Sequence, residues 1–155
     1  MATPQLVSSI KGYWAGTSKL NLTEDETIPK IFESKSQLWV HTDPLDAYST
    51  IKYTWSHEGQ EHQGTILLAT GDSEDKVTGA WVDSFHQSGG VMNLSGTGAN
   101  SDRIAITGSY TMEPYTDWSW RIELALAAGT LELQMINITP EGDEMWAVQA
   151  SYERA

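Results

Sequence analysis

The sequence predicts an all-β protein, folded as a single antiparallel up-and-down barrel of about ten strands. Strand-like segments of roughly ten residues follow one another almost without interruption, and their short connections favour antiparallel neighbours. Trp14, between two glycines, opens the first strand, and Arg154 closes the last. Pairing of these two strands would close the sheet on itself. The 155 residues suit one domain with a sizeable core.

The first half of the chain begins with an N-terminal arm at residues 1–10, and the first strand follows at 12–22. Residues 23–36 are acidic and contain Pro29, so they are predicted to be a polar connection with a short helical turn at 30–34. Strands follow at 32–42 and 48–57, separated by the turn sequence DPLD at 43–46. Glu58-Gly59 predicts a tight reversal into a strand at 61–70.

The second half continues the same pattern. Acidic and glycine-containing turns at 71–75, 100–102, 128–129 and 140–143, together with Pro114, divide the remaining segments. The strands are predicted at residues 76–85, 90–98, 103–112, 118–127, 130–139 and 144–154. We find no amphipathic helical pattern of about 12 residues or more, and regular strand spacing of this kind is typical of a sandwich or barrel.

Period-two alternation predicts which side chains face the interior. In residues 76–85 the larger side chains share one parity, and the same holds for 118–126 and 146–154. Six of the seven tryptophans fall on the parity assigned to the interior: Trp14, Trp55, Trp81, Trp118, Trp120 and Trp146. They either fill a wide core or line a pocket, because a barrel of more than about eight strands leaves room inside.

Composition excludes several classes of function. The chain has no cysteine, so disulfides and thiolate metal sites are ruled out. A net charge of −12 argues against nucleic acid and anionic membranes as partners. The N-terminal residues show no signal-peptide pattern, and no apolar run reaches the length of a membrane span. We therefore expect a cytoplasmic location.

The two ends of the chain are predicted to meet. If the first and last strands pair, the guanidinium of Arg154 can stack on the indole of Trp14 and donate to nearby carbonyls. This pair would form a structural plug at one end of the barrel. The arrangement resembles the calycin superfamily, the lipocalins and fatty-acid-binding proteins, where a Gly-X-Trp opening and a late arginine occupy corresponding places.

A closer resemblance covers much of the chain. Residues 53–55 (YTW), 81–86 (WVDSFH), 108–110 (GSY), 117–121 (DWSWR) and 137–140 (NITP) are similar to a small bacterial family of calycin-like barrels of unknown function. The resemblance implies one barrel domain with an interior ligand, and it assigns no catalytic residues. Haem-binding nitrobindin-like barrels begin similarly, but their iron-ligating histidine lies near the chain end. Here no histidine follows His86.

Asp83 and His86 are the strongest chemical candidates. Asp83 has the inward parity beside Trp81, and a carboxylate in an apolar barrel needs either a raised pKa or hydrogen-bonding partners. It would then be a general acid or base, or else a rim residue tied to Arg121, Tyr110 or a backbone amide. His86 would gate the mouth, bind ligand or shuttle protons, or be an ordinary exposed loop residue.

Tyr53, Tyr110 and Asn137 complete the predicted polar lining, either for a ligand or as a network among themselves. His41, His57 and His62 are dispersed without a metal-ligand spacing, so no metal and no cofactor is predicted.

Three functional hypotheses remain open. The first is binding of a small, largely apolar or aromatic molecule, with Tyr53, Trp55, Trp81, Asp83, Trp118, Trp120 and Asn137 lining the cavity. The second is an enzyme of the cyclase, isomerase or hydratase type that uses Asp83 as acid or base, assisted by His86 or Tyr110. The third is a structural role with a filled barrel, in which homodimer formation through the outside stays open.

Overall fold

A computed structural model describes residues 3–155 and confirms the predicted architecture. Within that range the chain forms one short helix and a closed barrel of ten antiparallel strands. The elements are α1 (Gln5–Ile10), β1 (Gly12–Asn21), β2 (Ile31–Thr42), β3 (Ser49–His57), β4 (Gln60–Thr70), β5 (Lys76–Asp83), β6 (Gln87–Thr97), β7 (Arg103–Met112), β8 (Tyr115–Ala127), β9 (Thr130–Ile138) and β10 (Glu144–Arg154). Each strand pairs with its sequence neighbours, and β1 also pairs with β10.

The barrel has one plugged end and one end that we call the open end. Helix α1 covers the plugged end, where Leu6, Val7 and Ile10 are buried in the core. The open end holds the connections that join β1 to β2, β3 to β4, β5 to β6, β7 to β8 and β9 to β10. The described residues contain no helix long and apolar enough to cross a membrane.

The predicted contact between the chain ends is present and holds α1 in place. Trp14 pairs with Arg154 in the sheet, and the guanidinium lies 4.5 Å from the indole centroid. Arg154 also donates to the carbonyls of Lys11 and Ser9, and Trp14 Nε1 donates to the carbonyl of Ile10 at 2.8 Å. The predicted N-terminal arm at 1–10 therefore contains a helix at its described end, and residues 1 and 2 lie outside the described range.

The predicted polar connection at 23–36 ends at residue 30, so it is wrong for residues 31–36, as is the helical turn predicted at 30–34; the strand predicted from residue 32 is present. Strand β2 begins at Ile31 and pairs with β1 from there onward, so that Phe32 lies opposite Leu20 and Ser36 opposite Gly16. The polar residues of this segment alternate across the sheet instead of forming a loop. Pairing with β1 makes residues 31–36 a strand, although their polar composition is typical of a loop.

The interior placement predicted for Trp146 is also wrong. A bulge between Trp146 and Val148 inserts one residue into β10, so Trp146 pairs with Ile136 while Val148 pairs with Met135. Because Ile136 and Met135 face opposite sides of the sheet, Trp146 moves to the outer face and Ala147 packs against the core. Trp14, Trp55, Trp81 and Trp120 are buried as predicted, and Trp118 is half-buried.

Candidate functional site

Asp83 ends β5 inside the open half of the barrel, where it is 3% exposed. The Tyr53 hydroxyl donates to Asp83 Oδ2 at 2.6 Å, and Trp55 Nε1 lies 3.4 Å from the same oxygen. The backbone amides of Phe85 and His86 donate to Oδ1 at 2.8 and 2.9 Å. The tight turn after β5 supplies these amides, because the carboxylate folds back over it. Both carboxylate oxygens are therefore satisfied by protein donors.

Gly64 makes this network geometrically feasible. It lies opposite both Tyr53 on β3 and Asp83 on β5, so it separates the two side chains on the inner face of the sheet. A Cβ at Gly64 would stand 2.2 Å from the Tyr53 ring and hydroxyl. The tyrosine thus crosses over the glycine to reach the carboxylate. Sequence reasoning missed Gly64; a glycine on the inward parity of a strand was the available signal.

The hydrogen bonds keep Asp83 ionised. Burial by itself would raise the pKa of this carboxyl, but the side chains of His86 and Tyr53 and the two backbone amides lower it to about 2. His86 Nδ1 is 3.7 Å from Oδ1, which is an ion-pair distance and not a hydrogen bond. Of the two predicted alternatives, a raised pKa or hydrogen-bonding partners, the structure has the second. A group that releases its proton near pH 2 has no proton to donate at neutral pH.

An aromatic group surrounds the carboxylate, and we call it the mouth cluster: Trp55, His62, Trp81, Phe85, His86 and Trp120. Trp81 and Trp120 stack with centroids 5.2 Å apart, and Trp81 Nε1 donates to the Tyr53 hydroxyl at 3.0 Å. His86 packs between Trp55 and Trp120, at 5.6 and 5.2 Å. The alternative of an exposed loop histidine is thus wrong, since its side chain is 11% exposed.

Three buried ring nitrogens in this region have no hydrogen-bond partner within the described chain: His86 Nδ1, Trp118 Nε1 and Trp120 Nε1. An indole N–H is a donor only, so each tryptophan requires an acceptor that the protein does not supply. Such groups are rare in folded proteins because an unsatisfied buried donor costs about 1–3 kcal/mol. All three nitrogens lie in the open half of the barrel.

Tyr110 and Asn137 lie on the same side as Trp118. The Tyr110 hydroxyl donates to Asn137 Oδ1, and the Tyr110 ring is 6.2 Å from that of Trp118. Asn137 pairs with Trp120 in the sheet. The structure thus brings all predicted lining residues to the open half of the barrel. Tyr110 and Asn137 are hydrogen-bonded to each other. Arg121 faces outward, in ion pairs with Glu123 and Glu144.

The barrel interior below the mouth cluster is filled by side chains. The space beside Asp83 has a volume of about 10 Å³ and is enclosed by residues of β1, β3, β5, β9 and β10. That volume is about the size of one water molecule. Of the two predicted alternatives, a filled core or a pocket, the space beside Asp83 matches the filled core. A ligand would have to be accommodated at the open end, where Phe85 is 39% exposed.

The histidines form no metal site in the described part of the chain, where no group of three metal-ligating side chains occurs. His62 Nδ1 is 2.9 Å from the Ser84 hydroxyl, and His57 Nε2 is 3.5 Å from Glu58. His62 also stacks on Trp55 at 4.7 Å. Three of the four histidines thus lie around the mouth cluster, whereas His41 lies near the plugged end, opposite Thr50.

These features define the class: a closed ten-stranded up-and-down β-barrel with a helix at one end and an aromatic cluster at the other. A family model described as "Protein of unknown function (DUF1579)" matches residues 3–154, and the chain belongs to that family. The comparison with curated proteins gave no match. Among solved structures, the chain is similar to Rv2717c from M. tuberculosis, with a TM-score of 0.66, 16% identity, and coverage of 97% of this chain and 96% of that one. At this identity the likeness concerns the fold.

Proposed function

We propose that this protein binds a small, planar, largely apolar molecule at the open end of the barrel, and that the molecule carries a hydrogen-bond acceptor. The observation that carries the proposal is the set of buried ring nitrogens that make no hydrogen bond within the described chain: Trp118 Nε1, Trp120 Nε1 and His86 Nδ1, the last of which lies 3.7 Å from Asp83 Oδ1. A carbonyl or ether oxygen would satisfy the indole donors, and aromatic walls favour a flat ligand. Asp83 acts in this proposal by fixing Tyr53 and Trp55 in place.

A matched pair of probes tests the proposal. Coumarin and naphthalene have nearly the same size and shape, but coumarin carries a lactone carbonyl that can accept from the indoles. We expect coumarin to quench intrinsic tryptophan fluorescence saturably and naphthalene to bind more weakly. Binding of neither probe to the wild-type protein, by fluorescence and by calorimetry, would reject the proposal.

Two variants sharpen this test. Trp118→Phe and Trp120→Phe keep an aromatic ring but remove the N–H, so each should weaken coumarin binding by about tenfold, which is the value of one hydrogen bond. Trp39→Phe is the matched control, because Trp39 lies opposite Tyr13 near the plugged end. Naphthalene affinity should fall less than coumarin affinity in Trp118→Phe and Trp120→Phe, and both should stay the same in Trp39→Phe.

A filled barrel that serves in assembly is the second candidate function. The specific observation in its favour is the interior volume of about 10 Å³ beside Asp83. This candidate expects a discrete oligomer in analytical ultracentrifugation, together with no probe binding. A monomer that binds coumarin would exclude it.

A further inference from the structure

Several ladders of the barrel stop short or are interrupted toward the open end in the described range, and the two shortest are those of β2 with β3 and of β6 with β7. Strands β2 and β3 pair only between residues 38–42 and 49–53, and β6 and β7 pair only between residues 95–97 and 105–107. The ladders of β3 with β4 and of β8 with β9 cover all of β3 and β9, whereas β4 pairs with β5 only over residues 64–70, and the ladder of β5 with β6 leaves out residues 88–91. We call the unpaired stretch between β6 and β7, residues 88–94 and 108–112, the seam.

The two gaps divide the open half of the barrel into two blocks. One block consists of β3 to β6 and contains the whole hydrogen-bonded network of Tyr53, Trp55, Trp81 and Asp83. The other block consists of β7 to β10 with β1 and β2, and it carries Trp118 and Trp120. Because the network lies inside one block, that block can move as a unit without breaking its hydrogen bonds.

The contacts across the two gaps differ. At the β2–β3 gap, side-chain hydroxyls replace the ladder: Ser36 Oγ donates to the carbonyl of Thr54 at 2.6 Å, and Ser34 Oγ accepts from the Ser56 amide at 3.1 Å. Across the seam, by contrast, the blocks meet through aromatic packing of Trp81 and His86 on Trp120. Stacked rings separate without leaving a polar group unpaired, so the seam is the side that opens more easily.

The unpartnered nitrogens occur on both blocks beside this seam. Trp118 and Trp120 lie on β8, opposite Tyr110 and Gly108 of β7, whereas His86 belongs to the turn before β6. We infer that the seam is the ligand site: a planar molecule binds beside the Trp81–Trp120 stack, with its acceptor at the ring edges that carry the N–H groups of Trp118 and Trp120. This inference rests on the proposed function and deepens it, since it names the position, the opening movement and the ligand class.

An engineered disulfide bond across the seam, which we call a staple, tests the inference. Asn93 and Ser109 are exposed and would be opposite each other if the β6–β7 register continued by two more residues. The strands are still close at this level, because a Cβ at Gly108 would be 2.6 Å from the Asn93 carbonyl oxygen. The pair Asn93→Cys/Ser109→Cys can therefore be bridged. The wild-type chain has no cysteine, so the bridge is unambiguous.

The oxidised staple should lower the population of the open seam and weaken coumarin binding by at least about tenfold, and reduction should restore it. The control staple Thr78→Cys/Ser95→Cys joins β5 to β6 at residues that already pair, so oxidation there should leave coumarin binding unchanged. Equal binding by oxidised and reduced Asn93→Cys/Ser109→Cys would overturn the seam site while leaving ligand binding itself intact. If wild-type protein binds neither probe, the proposed function fails, and the seam site fails with it.

Hydrogen exchange tests the opening without any ligand. Peptides that cover residues 88–94 and 108–112 should exchange faster than peptides that cover residues 63–69 of β4, which pair on both sides. The oxidised Asn93→Cys/Ser109→Cys staple should slow exchange in the seam peptides only. Seam peptides that are as protected as β4 in the unstapled protein would overturn the opening movement.

Discussion

Tyr53 reaches across Gly64 to donate a 2.6 Å hydrogen bond to Asp83. This single relationship joins three adjacent strands at the level where the barrel opens. It also ties two tryptophans to the carboxylate, because Trp55 donates toward Asp83 and Trp81 donates to the Tyr53 hydroxyl. Asp83 is therefore an anchor for the aromatic walls. Its chemistry at neutral pH is that of a permanently ionised acceptor.

Asp83→Asn should destabilise the protein by about 2–4 kcal/mol at pH 7, because an amide has one acceptor oxygen and cannot accept both from the Tyr53 and Trp55 side chains at Oδ2 and from the backbone amides of Phe85 and His86 at Oδ1. The pH dependence of the unfolding free energy shows whether the ionised Asp83 carboxylate is the cause of this destabilisation. The pKa of Asp83 falls from 3.8 in the unfolded chain to about 2 in the folded protein. Its ionised form thus contributes stability above pH 3.8, and this contribution of about 2 kcal/mol is lost as the pH falls toward 2.

Urea unfolding at several pH values measures this contribution. The difference in unfolding free energy between wild type and Asp83→Asn should narrow as the pH falls from about 4 to about 2. Asp117→Asn is the control, because Asp117 is exposed and should change stability by less than about 0.5 kcal/mol. A constant difference across that pH range would contradict the assignment of the depressed pKa to Asp83.

Gly64→Ala should be strongly destabilising, by about 2–4 kcal/mol, because its Cβ would overlap the Tyr53 ring and displace the hydroxyl from Asp83. Thermal unfolding measures the loss of stability. Near-ultraviolet circular dichroism reports the altered environment of Trp55 and Trp81. Gly89→Ala is the matched control, since a Cβ there meets no atom within 4 Å. Equal stability of the two variants would contradict the crossing geometry.

Arg154→Met should loosen helix α1 while leaving the barrel closed. The substitution removes the hydrogen bonds to Ser9 and Lys11 and the stacking on Trp14, at a cost of about 1–2 kcal/mol. Limited proteolysis should then cut near residues 5–11 faster than in wild type. Arg103→Met is the control, because Arg103 pairs with Glu123 away from α1. Equal cleavage rates in both variants would show that Arg154 does not hold the helix.

Periodicity predicted the barrel, the strand parities and the meeting of Trp14 with Arg154, because those features depend on alternation and on the order of strands. It failed where pairing partners override the local pattern. The bulge that turns Trp146 outward is set by the neighbouring strand, and so is the pairing of residues 31–36 with β1, where the composition indicated a polar connection. The parity of Asp83 was visible in the sequence, but its pKa depended on a tyrosine 30 residues earlier and on the turn after β5.

The seam between β6 and β7 could not be predicted for the same reason. Nothing in residues 88–94 shows which of their backbone groups lack a partner, since that depends on where β7 diverges from β6. The glycines at 89 and 90 are visible in the sequence. Their place beside the unpartnered nitrogens emerges only when the ten strands are assembled.

Ser36→Ala should weaken the hydroxyl bridge that replaces the β2–β3 ladder. Ser36 is buried, and its hydroxyl is hydrogen-bonded to the carbonyl of Thr54 at 2.6 Å and to the hydroxyl of Tyr152 at 2.7 Å. Removing it leaves two buried polar groups without this partner, which should cost about 1–3 kcal/mol. Hydrogen exchange should accelerate in residues 34–37 and 54–57, whereas Ser88→Ala, at an exposed position, should change neither stability nor exchange there. Unchanged exchange in Ser36→Ala would mean that the hydroxyl bridge does not hold β2 against β3.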